Sequence, residues 1–155
     1  MEQKKHTKTD YSQISNLIYL GSNLCSGWTC PIHSEEFLKL GIDAEINLIS
    51  EHMETIVPEL DAYLLIPTPD HSAPSLTQLH LAADMINSIT KTGKTIYIHC
   101  KNGHGRSPTA LIAYYVKYKN MTAADAEELV KKKRPEIHLT DDQHKTLQQF
   151  AAEVG

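Results

Sequence analysis

The chain has few cysteines, no long apolar run and no excess of positive charge. Three cysteines in 155 residues, unevenly placed at Cys25, Cys30 and Cys100, exclude a disulfide framework and fit a reducing compartment in which a thiol stays reactive. No stretch reaches the roughly 20 apolar residues that a membrane-spanning helix needs. The segment Met1 to Asp10 is polar and lacks the apolar core of a secretion signal. A formal net charge of −4 argues against a nucleic-acid-binding face, while leaving room for a small positive pocket. The expectation is a soluble, cytoplasmic protein with no nucleic-acid partner and no stable membrane insertion; nothing in the pattern fixes an oligomeric state.

Repeats and low-complexity tracts are also missing, and prolines and glycines are spread singly, so no linker divides the chain. One domain over residues 11–155 is expected, preceded by a flexible N-terminus over residues 1–10. Leu17 to Leu20, Ile42 to Ile49, Tyr63 to Ile66 and Thr95 to His99 carry strand character. Between them, Ser34 is expected to cap a short helix that stops at Gly41. Ser75 and Gln78 form a capping box for a second helix ending near Gly93. After Cys100 the pattern is helical: Ala110 to Val116 is apolar almost all round, and Thr122 and Thr140 each cap an amphipathic helix. Strands alternating with helices predict a single-domain α/β fold, with a central, largely parallel sheet of four to five strands flanked by helices.

The chemistry gathers where the last strand meets the helical half, in His99-Cys100-Lys101-Asn102-Gly103-His104-Gly105-Arg106-Ser107-Pro108. Gly103 and Gly105 allow tight turns, so successive amide N–H groups of the loop, Lys101, Asn102 and His104 included, can converge on an oxyanion at a helix N-terminus. Ser107 and Pro108 suit the cap and first turn of that helix. A thiol at the mouth of such a cradle has its pKa drawn from ~8.5 toward ~3.5–7.5. Arg106 supplies a planar fork for two phosphate oxygens. His99 reads equally as a supporting residue and as a core histidine satisfied by the backbone.

Other candidates are weaker. Cys25 and Cys30 are separated by Ser26, Gly27, Trp28 and Thr29, which is neither a CxxC redox pair nor a zinc knuckle, and they read as ordinary thiols. The histidines show no ligand spacing, so no metal and no cofactor are assigned. Arg134, before Pro135 at a helix end, reads as part of a solvated face, and Gln143 completes a capping box with Thr140.

The segment HCKNGHGRS resembles the HCxxGxxR[S/T] signature of the protein-tyrosine phosphatase superfamily, and NLIYLGS (Asn16 to Ser22), GIDAEINL (Gly41 to Leu48) and IPTPDHSAPS (Ile66 to Ser75) resemble segments of its small dual-specificity members. The resemblance implies a cysteine-phosphatase fold with Cys100 as nucleophile, Arg106 as phosphate clamp, Ser107 stabilising the thiolate and Asp70 as general acid. Asp70 lies in a proline-punctuated loop able to hang over a pocket. The implied reaction forms a phosphocysteine and needs no metal. A phosphorylated protein or peptide is the implied substrate, with phosphotyrosine first and phosphoserine or phosphothreonine beside it. A phosphoinositide, another phospholipid or an RNA 5′-phosphate is the alternative on the same fold. A non-catalytic phosphate-binding module or a rhodanese-like sulfur carrier is the rival from another class, and neither explains Asp70 and Ser107 together.

Overall fold

The computed structural model describes residues 5–155. The elements run β1 (Tyr11–Ser15), β2 (Ile18–Gly21), α1 (Pro31–Leu40), β3 (Ile42–Ile49), β4 (Ala62–Thr68), α2 (Leu76–Lys91), β5 (Thr95–His99), α3 (Arg106–Tyr118), α4 (Ala123–Lys133) and α5 (Asp141–Val154). The five strands form one sheet in the order β1-β2-β5-β3-β4. β1 is antiparallel to β2, and the remaining pairings are parallel. The α/β fold with a largely parallel sheet expected from the pattern is the fold observed. The strand absent from the sequence reading is β1, whose sequence YSQIS buries only Ile14 and so shows no alternation.

The sheet separates two apolar layers. One is the main core, where Leu20, Ile46, Ile96 and Ile98 meet α2, α3, α4 and α5 through residues such as Leu79, Ile112, Val130 and Phe150. The other lies under α1, where Phe37 packs with Tyr19, Ile42 and Tyr97. α3 is central: every residue from Arg106 to Val116 is buried, which explains its lack of a polar face. β5 sits between β2 and β3 and is buried along its whole length, so the loop that follows it leaves from the middle of the molecule.

Two helix starts differ from expectation. α1 begins at Pro31 with Cys30 in the cap position, because a proline at the first helical position has no N–H to satisfy and a preset φ. Ser34 therefore lies inside the helix, its hydroxyl donating to the Cys30 carbonyl at 3.2 Å. α3 begins at Arg106 with Gly105 in the cap position, so Ser107 is a first-turn residue rather than the cap. The caps at Ser75, Thr122 and Thr140 stand as expected, and Gly41 takes the left-handed conformation that ends α1.

Residues 1–4 of the segment expected to be flexible lie outside the described residues. From Lys5 onward the chain has no regular element before β1, yet Thr9 is buried and the Asp10 amide donates to the Ser22 hydroxyl at 2.8 Å.

Candidate active site

The loop from Cys100 to Gly105 joins the buried end of β5 to the N-terminus of α3. Gly103 has φ 73°, and a Cβ there would lie 2.6 Å from the Gly21 carbonyl oxygen. Both the turn and the close approach exclude a side chain. Cys100, Lys101, Asn102, His104, Gly105 and Arg106 line a cavity of about 220 Å³, whose lining Asp70, His71, His138, Thr140 and Gln143 complete. The structure thus brings the predicted Cys100, Arg106 and Asp70 to one pocket, with Ser107 behind them.

The Cys100 Sγ lies 3.3 Å from the Ser107 Oγ. Burial alone would push the Cys100 thiol up, but the Ser107 hydroxyl, the Ser107 and Gly103 amides and the Arg106 cation outweigh it and hold the thiol below its ordinary value. A thiolate at this point is therefore favoured by the fold itself.

Arg106 is held by acidic and backbone partners. Both of its terminal nitrogens donate to the Glu51 carboxylate, Nη1 to Oε1 and Nη2 to Oε2 at 2.9 Å, and Nη1 also donates to the Thr68 carbonyl at 2.8 Å. The Arg106 partner keeps the Glu51 carboxyl ionised, at about 2, despite partial burial. Asp70 Oδ1 stands 3.4 Å from Arg106 Nη2. Glu51 was not a candidate from the sequence, since it lies 55 residues before Arg106 with nothing local to mark it.

Arg134 corrects a sequence expectation. It is fully buried rather than part of a solvated face, and its Nε donates to the Gly103 carbonyl at 3.0 Å while Nη2 donates to the Asn102 carbonyl at 2.9 Å. Ser12 and Asp10 occupy its remaining reach. By taking the Asn102 and Gly103 carbonyls, Arg134 fixes two peptide planes of the loop, one of which carries the Gly103 amide that favours the Cys100 thiolate.

Beneath the loop, His99 is buried with its Nε2 3.0 Å from Glu45 Oε2 and 2.9 Å from Glu54 Oε2. Burial alone would push the His99 ring down, but the two carboxylates raise it to about 10, so it is an imidazolium. Burial and the hydrogen bond shared with Glu54 push Glu45 up to about 8, and Glu54 is held low by His99 and that same bond. One proton and one imidazolium thus serve two carboxylates. The other ring nitrogen, Nδ1, lies 3.3 Å from the Cys100 carbonyl and fixes the peptide that carries the thiol. His99 is a core histidine that also contacts the Cys100 peptide, and the sequence did not show its acidic partners.

The loop that carries Asp70 is tied to the start of α5 at three points. Thr140 Oγ1 donates to the His71 carbonyl at 2.9 Å, Gln143 Nε2 to the Ser72 carbonyl at 3.1 Å, and the Ala73 amide to Asp142 at 2.9 Å. Gln143 also completes the capping box with Thr140, so the capping expectation holds with a further contact added. His71 takes φ 68°, a conformation non-glycine residues seldom adopt, at the turn beside Asp70.

Comparison with known proteins agrees with this geometry. The model of the dual specificity phosphatase catalytic domain matches residues 18–153. The chain is 41% identical over 120 residues to the phosphatidylglycerophosphate phosphatase PTPMT2 of Arabidopsis thaliana, covering 73% of this chain and 52% of that protein. It is 30% identical over 128 residues to the dual specificity protein phosphatase 14 of Mus musculus, covering 81% and 61%. The chain therefore spans about half the length of the plant relative. A crystal structure of PTPMT1 in complex with PI(5)P superposes with a TM-score of 0.79 over 93% of this chain and 96% of that one, at 21% identity, which is a likeness of fold.

Proposed function

The chain belongs to the dual specificity phosphatase catalytic-domain family, and from that premise we propose that Cys100, Arg106, Asp70 and Ser107 hydrolyse a phosphate monoester carried on a phospholipid headgroup. The observation that carries the catalytic assignment is the meeting of a stabilised thiolate, its Ser107 partner and the Arg106 fork in one cavity with Asp70 at the rim.

The Cys100 thiolate attacks phosphorus, forming an S–P bond as the P–O bond to the alcohol breaks. The departing oxygen takes a proton from Asp70. Arg106 and the loop amides hold the non-bridging oxygens as their charge spreads. Water then attacks the phosphocysteine with Asp70 as base, phosphate leaves, and the Ser107 hydroxyl stabilises the returning thiolate. A reducing, cytoplasmic setting is part of the proposal, because an oxidised Cys100 could not attack.

Two observations favour the lipid over a protein substrate. The 41%-identical relative is a phosphatidylglycerophosphate phosphatase. In addition, Lys101, His71, His104 and His138 ring the cavity, a setting suited to a headgroup with a second phosphate beside the scissile one. No described helix is long and apolar enough to cross a membrane. Phosphotyrosine remains the second reading, supported by the 30%-identical protein phosphatase.

The test compares kcat/KM on phosphatidylglycerophosphate in mixed micelles with that on phosphotyrosyl peptides, using Cys100→Ser as a binding-competent, inactive control. A higher value on the lipid supports the proposal. A higher value on the peptides would transfer the assignment to the protein substrate, and activity retained by Cys100→Ser would remove the mechanism altogether.

A further inference from the structure

Far along the sequence from the phosphatase loop, the fold gathers a second set of reactive side chains. One ligand atom from each of His6, Cys25, Cys30 and His33 lies within 4.8 Å of every other. The N-terminal segment brings His6, the loop after β2 brings Cys25, the residue before α1 is Cys30, and the first turn of α1 brings His33. No sequence spacing reveals this, because His6 lies 24 residues from Cys30.

We propose that these four residues form a structural zinc site, independent of the phosphatase chemistry. Thiolate and imidazole donors in equal number are the tetrahedral set that selects zinc. Bond lengths of ~2.0–2.1 Å to nitrogen and ~2.3 Å to sulfur put neighbouring donors ~3.3–3.8 Å apart. His6 Nδ1 already lies 3.3 Å from Cys30 Sγ and 3.8 Å from Cys25 Sγ.

The supporting groups agree. His33 is 2% exposed and its Nδ1 lies 3.0 Å from Thr9 Oγ1. Its Nε2 is buried without any hydrogen-bond partner, which is unfavourable if left so and is the arrangement of a metal-binding imidazole whose other nitrogen is fixed by a neighbour. The Thr7 amide donates to Cys25 Sγ at 3.2 Å, as a thiolate ligand requires. Cys25 and Cys30 are both buried, so two thiolates would balance the charge of a divalent ion where an uncompensated charge is costly. On binding, each thiol gives its proton to solvent and the two imidazoles bind neutral. Four protein ligands fill the tetrahedron, so the site is closed to substrate and structural in kind.

Its effect is to clip the N-terminal segment onto α1 and the loop after β2. That loop touches the catalytic half at two places: the Asn23 amide donates to the Lys101 carbonyl at 3.1 Å, and Ser26 forms a β-bridge with Glu54, the partner of His99.

The full chain, purified under reducing conditions from zinc-supplemented culture, is expected to carry about one zinc. Cys100→Ser is expected to carry the same, since the phosphatase thiol takes no part. Cobalt added to metal-free chain should give tetrahedral ligand-field bands and a thiolate charge-transfer band. Cys30→Ser should weaken that band. Should Cys30→Ser fail to fold, His6→Ala on the exposed segment serves instead, with zinc affinity reduced at least as far as the ~10–100-fold seen on losing a supporting partner. A reduced wild-type chain with no tetrahedral cobalt spectrum, zinc lost in Cys100→Ser, or affinity unchanged in His6→Ala would overturn the site.

Discussion

Asp70 and Arg106 pair with each other across the mouth of the cavity, Oδ1 to Nη2 at 3.4 Å. The carboxyl proposed to protonate the leaving oxygen thus also tempers the cation proposed to hold the phosphate. Asp70→Asn is expected to lose ~10²–10⁴-fold in kcat on an alkyl or tyrosyl phosphate, whose leaving oxygen needs a proton, and much less on a nitrophenyl ester. With the negative charge removed from beside Arg106, inorganic phosphate should inhibit more strongly. A leaving-group series read together with product inhibition checks both effects. Equal losses on all esters would make Asp70 a loop-shaping residue.

Ser107 is expected to set the acidic limb of reactivity. Its hydroxyl favours the charged form of Cys100, so Ser107→Ala should raise the thiol's pKa, and alkylation by iodoacetamide should then reach its plateau at a higher pH. The second step, in which the thiolate departs from phosphorus, should slow more than the first, and a burst of released alcohol would show it. An unchanged alkylation profile would leave Ser107 a packing residue.

Arg134→Leu would preserve much of the buried volume while leaving the Gly103 and Asn102 carbonyls without their donor. The Gly103 carbonyl is buried, and an unsatisfied buried acceptor costs ~1–3 kcal/mol, whereas the part-buried Asn102 carbonyl can turn to water and the ion pair with Asp10, a side chain 70% exposed, adds little. The larger part of the loss is therefore assigned to the loop. Urea denaturation should show a drop of about 1–3 kcal/mol, and the folded variant should bind phosphate more weakly because the loop peptides are no longer fixed. Normal phosphate binding would contradict this role.

The cluster beneath the loop should make stability fall as pH rises. His99, raised to about 10, contributes stability that is fully present below its unfolded value near ~6.5 and is lost through 10. Glu45, raised to about 8, holds a proton in the folded state that the unfolded chain releases near ~4.3, so its contribution also declines as pH rises between those values. Urea midpoints measured from pH 6 to 10 should fall steadily, and Glu45→Gln should flatten the part below pH 8. A midpoint rising over that range would refute the assignment of charge.

The phosphate loop is legible in the sequence because its parts are contiguous: Cys100, two glycines, Arg106 and Ser107 follow one another from strand to helix. The parts that hold it are not contiguous. Glu51 and Arg134 reach Arg106 and Gly103 across 55 and 31 residues, and a lone Glu in a loop or an Arg at a helix end has the same local pattern whether it is buried or solvated. Pro31 did offer a local signal for the start of α1, which the more familiar capping serine obscured. β1 offered none, since an edge strand with one buried side chain has no period to detect.

The cap and first turn of α5 supply Thr140, Asp142 and Gln143 to the backbone around Ser72, so the loop carrying Asp70 is pinned to the start of the final helix by three hydrogen bonds. The leaving-group protonation proposed for Asp70 would thereby depend on an element some seventy residues further along the chain. Whatever loosens that helix, whether heat, a fused segment or a bound protein, would slow expulsion of the alcohol while the phosphate cradle, anchored separately by Arg134 and Glu51, still grips its anion.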